Sequence, residues 1–120
     1  MRVWVPVTIN EFQQFTQAKT LAIPSGFAVT PAWSATQEDQ DEEVLEALIL
    51  DLAAQGKPIV LVIEANATEV PGDSGEVTLA EAISERQIRA IFAATPQEPD
   101  EMLWFGPTEV IEAKAFIGLD

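Results

Sequence analysis

The side chains that could do chemistry in this sequence are almost all carboxylates, and the densest group is Glu38, Asp39, Asp41, Glu42, Glu43 and Glu46. On a helix Glu42 and Glu46 lie one turn apart, as do Asp39 and Glu43 if the helix starts early. Paired carboxylates at that spacing can hold magnesium or calcium. The segment lacks the central glycine and closing glutamate of a calcium loop, however, and a capped helix start with a solvated face accounts for it. Glu64 is the single acid to watch. It ends an apolar run, where desolvation would raise a carboxyl pKa, unless it emerges at the sheet rim or pairs with Arg86 or Arg89.

Other chemistries fall away with the residue types they need. The chain has no histidine and no cysteine. That removes Ser-His-Asp triads, thiolate nucleophiles, zinc–thiolate and histidine metal sites, and disulfides. Gly72-Asp73-Ser74-Gly75 looks like a serine-protease nucleophile loop but, without histidine, reads as a hydrophilic turn. Neither a Gly-x-x-x-x-Gly-Lys phosphate loop nor a Gly-x-Gly-x-x-Gly fingerprint occurs, so no cofactor and no metal is expected. Lys57 after Gly56 sits between a helix end and a strand, the reverse of a phosphate cradle. Enzymatic function is disfavoured; carboxylate-only acid–base chemistry remains as the alternative.

Twenty Asp and Glu against six Lys and Arg give a formal charge of −14. Such a surface repels nucleic acid and anionic membranes. Its ordinary role is solubility; its sharper one is docking a protein with a basic surface. Trp4 and Trp104 are candidate anchors for such a partner, because tryptophan is enriched where interfaces concentrate their binding energy. Together with Asp39, Glu42, Glu43 and Glu46 they form the candidate interaction surface. A homodimer through the first strand or the Trp104 region is the other association to expect. The start lacks the apolar stretch of a signal peptide and no run is long enough to span a membrane, so the expected location is the cytoplasm.

These residues must be positioned by a fold whose elements are mostly visible. Val3, Val5, Val7 and Ile9 alternate as one face of a strand from Arg2 to Ile9, and Pro6 predicts that this strand lies at an edge or carries a bulge. Asn10 offers a helix cap, with Glu11 in the first turn and Gln13 at the capping-box position, and the helix runs to about Lys19 with Phe12, Phe15 and Ala18 on one face. Pro24-Ser25-Gly26 reads as a turn before a short extended piece, Phe27 to Val29. Thr30-Pro31 starts a short helix through Trp33. Asp41 to Gln55 is the clearest helix, with Val44, Leu45, Leu48, Ile49 and Leu52 as its apolar stripe and Gly56 and Pro58 to end it.

Pro58 to Glu64 has no alternation and predicts a strand buried on both faces. A polar loop, Asn66 to Glu76, follows. The stretch from Glu76 to Ile91 supports a helix or strands, and two strands at 76–82 and 86–93 are the reading adopted. Thr95 to Glu101 is a surface loop, Met102 to Phe105 a strand, and Thr108 begins a last helix to about Ile117. The order β-α-α-β-β-β-β-α predicts one α+β domain over residues 1–120, with a small mixed, largely antiparallel sheet of four to five strands and about three helices packed mainly on one face.

The opening Met-Arg-Val-Trp-Val-Pro-Val-Thr, then Phe27-Ala-Val-Thr-Pro31, Asp41-Glu-Glu-Val-Leu-Glu and Leu103-Trp-Phe, resembles a family of small uncharacterised actinobacterial proteins. The resemblance implies that the ambiguous region from Glu76 to Ala93 is strand-like. It carries over no activity and no functional residues.

Overall fold

A computed structural model describes residues 1–119. Its strands are β1 (Arg2–Val7), β2 (Thr20–Leu21), β3 (Ser25–Phe27), β4 (Ile59–Glu64), β5 (Ala67–Glu69), β6 (Glu76–Leu79), β7 (Ile83–Ser84), β8 (Ile88–Ala93) and β9 (Leu103–Phe105). Its helices are α1 (Ile9–Ala18), α2 (Pro31–Ser34), α3 (Glu42–Ala54) and α4 (Val110–Phe116), with a 3-10 turn over Glu85–Gln87. Seven strands form one sheet in the order β5-β6-β3-β1-β4-β8-β9, and β2 and β7 form a separate ribbon. Every pairing among the described residues is antiparallel. The fold is thus α+β with a largely antiparallel sheet, as expected, but with seven strands instead of four or five. The additional strands, β3 and β5, are three residues each and fell inside segments that read as turn and loop.

The helices also differ from expectation, lying on both faces of the sheet. Alternation along the central strands sends Val3, Val5, Val7, Ile59, Leu61 and Ile63 to one side, where they meet Phe12 and Phe15 of α1 and Ala113 of α4. Trp4, Val60, Val62 and Ala90 point to the other side, against Trp33 of α2 and Leu45, Ile49 and Ala53 of α3. Each fully buried Ile, Val or Leu of β4 contributes roughly 1.5–3 kcal/mol relative to exposure. The α3 stripe is narrower than the sequence pattern: Leu45, Ile49 and Ala53 are buried, while Val44 and Leu48 are exposed. Glu46, expected on the wet side, is half-buried.

Pro6 does not mark an edge. β1 lies between β3 and β4, and Pro6 stands opposite Val60. The ladder tolerates it for a geometric reason. Ala65 N donates to Met1 O at 3.0 Å, so odd positions of β1 exchange hydrogen bonds with β4. Opposed residues alternate in an antiparallel pair, so Pro6 turns its nitrogen towards β3. There the pairing registers only Trp4 with Phe27, and no ladder bond is lost.

Local capping follows the sequence rules with one shift. Thr30 caps α2, its hydroxyl accepting from Trp33 N at 3.1 Å, and Asp41 caps α3. Gly56 ends α3 with φ +82°, a conformation side chains resist. The α1 cap is Thr8, not Asn10. Thr8 Oγ1 accepts from Glu11 N at 3.1 Å, and Thr8 N donates to Glu11 Oε1 at 2.8 Å. The pattern Thr8-x-x-Glu11 is the full capping box, whereas Asn10 would have had only Gln13. Thr8→Ala is therefore expected to lower stability by about 1 kcal/mol. Asn10→Ala should leave it nearly unchanged, and thermal melting of the two variants side by side checks the assignment.

Candidate functional site

At the acid-rich start of α3, two of the acids are spent on local structure. Asp41 Oδ1 accepts from Glu43 N at 3.0 Å and Val44 N at 3.4 Å, and Asp39 Oδ1 accepts from Asp41 N at 2.8 Å. The two aspartates thus hold the entry to the helix, where negative charge also meets the positive end of its dipole. Glu42 and Glu43 are exposed. Glu46 joins Arg2 at 3.5 Å, and Arg2 reaches Glu64 at 3.6 Å. Glu64 also lies 3.4 Å from the amino group of Met1. Its partners are therefore Arg2 of β1 and the amino group of Met1 before it, not Arg86 or Arg89. Arg89 instead donates to the carbonyls of Arg86 and Ile88 at 3.1 and 3.2 Å.

Glu42 and Glu46 border a shallow hollow of about 240 Å³ with Arg2 and Trp4. An arginine on its rim, already paired with Glu46, makes it a poor cation site. Among the described residues no three carboxylates converge to hold a metal ion. Gly72 to Gly75 is a turn, with Ser74 Oγ accepting from Glu76 N at 3.2 Å. Two further hollows, each about 280 Å³, share Gly56, Lys57 and Asp100 near the tip of the β8–β9 hairpin. Lys57 N donates to Ala54 O, closing the end of α3.

The two candidate tryptophans part company. Trp4 is 4% exposed and belongs to the core beneath α3, so it offers no surface to a partner. Trp104 is 60% exposed and Leu103 beside it 49%. Both stand on β9, which closes one end of the seven-stranded sheet. The acids of α3 and Trp104 are not brought together in one hydrogen-bonded cluster. A different set of acids flanks β9 along the chain: Glu98, Asp100, Glu101 and Glu112 are exposed and Glu109 is half-buried. Between Thr95 and Leu119 the only basic residue is Lys114.

The direction in which β9 presents its backbone follows from the ladder. Ala94 N donates to Pro58 O at 2.8 Å, so even positions of β8 bond to β4 and odd ones face β9. Ile91 pairs with Phe105 and Ala93 with Leu103. Leu103 and Phe105 thus spend their backbone groups on β8, while the N–H and C=O of Trp104 point away from the sheet. One outward position further on, Gly106 N donates to Glu109 Oε1 at 2.8 Å. Glu109 N returns a bond to Gly106 O at 3.0 Å. The edge is therefore open at Trp104 and closed at Gly106 by a side chain of the same chain. Phe105 anchors the strand from below, its ring 5.6 Å from that of Phe116 on α4.

Sequence reasoning found Trp104 but missed Leu103, Ile111 and Glu109. Ile111, 79% exposed on α4, stands between Val110 and Glu112 in a stretch read only as helix. The Gly106-x-x-Glu109 spacing was the available signal for Glu109, being the same three-residue reach that closes the Thr8–Glu11 box.

The molecule is thus an α+β fold with helices on both faces of a seven-stranded antiparallel sheet that ends in two short edge strands, β5 and β9. The chain belongs to the family of unknown function DUF6912, whose model matches residues 1–103. That match stops at the first residue of β9, so Trp104, Glu109 and α4 lie beyond it. No curated protein and no solved structure matches the chain. No described helix is long and apolar enough to cross a membrane.

Proposed function

We propose that the chain is a non-enzymatic protein-binding domain that takes a partner with a basic surface, and that β9 is its docking edge. The observation carrying this reading is the exposure of Leu103 and Trp104 on a terminal strand, whereas Trp4 and Trp33 are both in the core. An exposed tryptophan with an aliphatic neighbour is the kind of group that supplies interface binding energy. The five acids and one lysine between Thr95 and Leu119 select a basic partner and repel acidic ones. The carboxylate chemistry that would support a cation-dependent enzyme has no such support: Asp41 caps α3, Glu46 pairs with Arg2, and no three carboxylates converge among the described residues. A homodimer through the first strand lacks an available edge, since β1 is paired on both sides.

The test is a quantitative capture from native extract with three baits: the unaltered chain, Trp104→Ser, and Glu98→Lys/Glu101→Lys. A set of basic proteins should be retained by the first bait and fall roughly tenfold or more on each of the others, which corresponds to about 1.4 kcal/mol. Equal retention on all three baits would remove β9 as the docking edge.

A further inference from the structure

We infer that β9 takes up its partner by strand addition: an extended, basic peptide segment pairs with the outward N–H and C=O of Trp104, and Glu109 sets where that pairing ends. The inference rests on the protein-binding reading above and specifies its mode.

Three features define the occupant. First, Trp104 offers one donor and one acceptor pointing away from β8, which is what an added strand requires. Second, the added strand gains contacts on both faces, because successive side chains alternate. Leu103 lies on the side of α1 and α4, and Trp104 on the side of α3. The end of the Trp104 indole reaches over Gly106, 3.4 Å from where a Cβ there would sit, so it lies along the strand. Third, acids outnumber bases around the edge, Lys114 being the one base between Thr95 and Leu119 and Lys57 bordering the same hollows as Asp100. Glu98, Asp100 and Glu101 precede β9, and Glu109 and Glu112 follow it. Lysines or arginines on the incoming strand would meet carboxylates at either end. A second copy of this chain would set those same acids against each other, which disfavours self-pairing at this edge.

Glu109 limits the length of the pairing. Its carboxylate already holds Gly106 N–H at 2.8 Å, the next outward donor after Trp104. An added strand therefore pairs at Trp104 and runs towards Met102, and does not extend past Gly106. Natural edges are blunted in this way by charged side chains and short lengths, which keeps an exposed strand from templating aggregation.

The experiment uses the full chain, labelled with 15N, and a capped seven-residue peptide of alternating Lys and Val. Backbone amide exchange is followed at Trp104 and Gly106. Saturating peptide is expected to slow exchange at Trp104 roughly tenfold or more and to leave Gly106 unchanged, since its donor is already occupied. A twin peptide N-methylated at alternate residues, which cannot donate to β9, should lose this protection in one of its two phases of methylation. A Glu-Val twin should not bind. Trp104→Pro removes the outward N–H while sparing the bonds of Leu103 and Phe105 to β8, and should weaken the Lys-Val peptide more than Trp104→Ala does. If the Lys-Val peptide binds with Trp104 exchange unchanged, or both N-methylated phases bind as well as the parent, strand addition is overturned while the protein-binding reading stands. Trp104 protection that grows with protein concentration in the absence of peptide would overturn it in favour of a homodimer. Failure of the Lys-Val peptide to bind also overturns the inference, and the three-bait capture then decides the protein-binding reading separately.

Discussion

Trp33→Ala is expected to remove about 3–5 kcal/mol of folding stability, the range for truncating a buried aromatic side chain. Trp33 is 6% exposed although its helix, α2, has only four residues. The indole is wedged between α3 and the turn before β6. A Cβ placed on Gly75 would lie 3.2 Å from both its Cγ and Cδ1, and 3.2 Å from Ile49 Cδ1. Three segments therefore lose a common contact when the ring is deleted. A four-residue helix has little stability of its own, so α2 holds its place through the Thr30 cap and this ring. Against a typical total of about 5–15 kcal/mol, the loss would lower the melting temperature by roughly 10–20 °C. Trp33→Phe should recover part of it. Urea unfolding followed by circular dichroism measures both variants, and a loss under about 1 kcal/mol for Trp33→Ala would mean that α2 is not held in this way.

What the sequence disclosed depended on whether local pattern and tertiary role coincided. They coincide at α3, where Asp41 and Gly56 bound the helix as read, and at β4, where an unbroken apolar run fills both cores. Between Glu76 and Ala93 local pattern left helix and strand both open, and the two strands adopted are present as β6 and β8. Ile88 and Ile91, three positions apart, also fit a helical face, and both lie in the core under α1. The β4–β8 register shifts between Val62 and Ile63, so Ile63 pairs with Ile88 and the face changes once. A bulge of this kind imitates a helical interval within a strand. Pro6 misled for the complementary reason: a proline rule concerns only the neighbour its nitrogen faces, and strand order decides which neighbour that is. The docking edge was half legible. Composition pointed to Trp104, but exposure of Leu103 and the Glu109 closure of Gly106 depend on which strand lies at the end of the sheet.

The segment Pro24-Ser25-Gly26 shows the same divergence with the opposite consequence, since it read as a turn and is the start of β3. Gly26→Ala is expected to destabilise the protein by roughly 2–3 kcal/mol, in the range for overpacking a core. Propensity alone predicts the reverse sign, because glycine within a strand is poorer than alanine by about 0.5–1 kcal/mol. Space decides. A Cβ on Gly26 would lie 2.7 Å from Val3 Cγ1, 3.2 Å from Val5 Cγ2 and 3.0 Å from the carbonyl oxygen of Trp4. Val3 and Val5 are fully buried, and their branched side chains are stiff and sit in a close-packed interior. Trp4 O belongs to the central strand, fixed by β4 on its other side. The glycine therefore allows β3 to approach β1, and through β3 the sheet continues to β6 and β5. Because one clash is with a removable methyl group, Val3→Ala should partly relieve it. In a double-mutant cycle the pair Val3→Ala/Gly26→Ala should be about 1 kcal/mol more stable than the sum of the single losses. Strict additivity would show that the Trp4 carbonyl, not Val3, sets the limit.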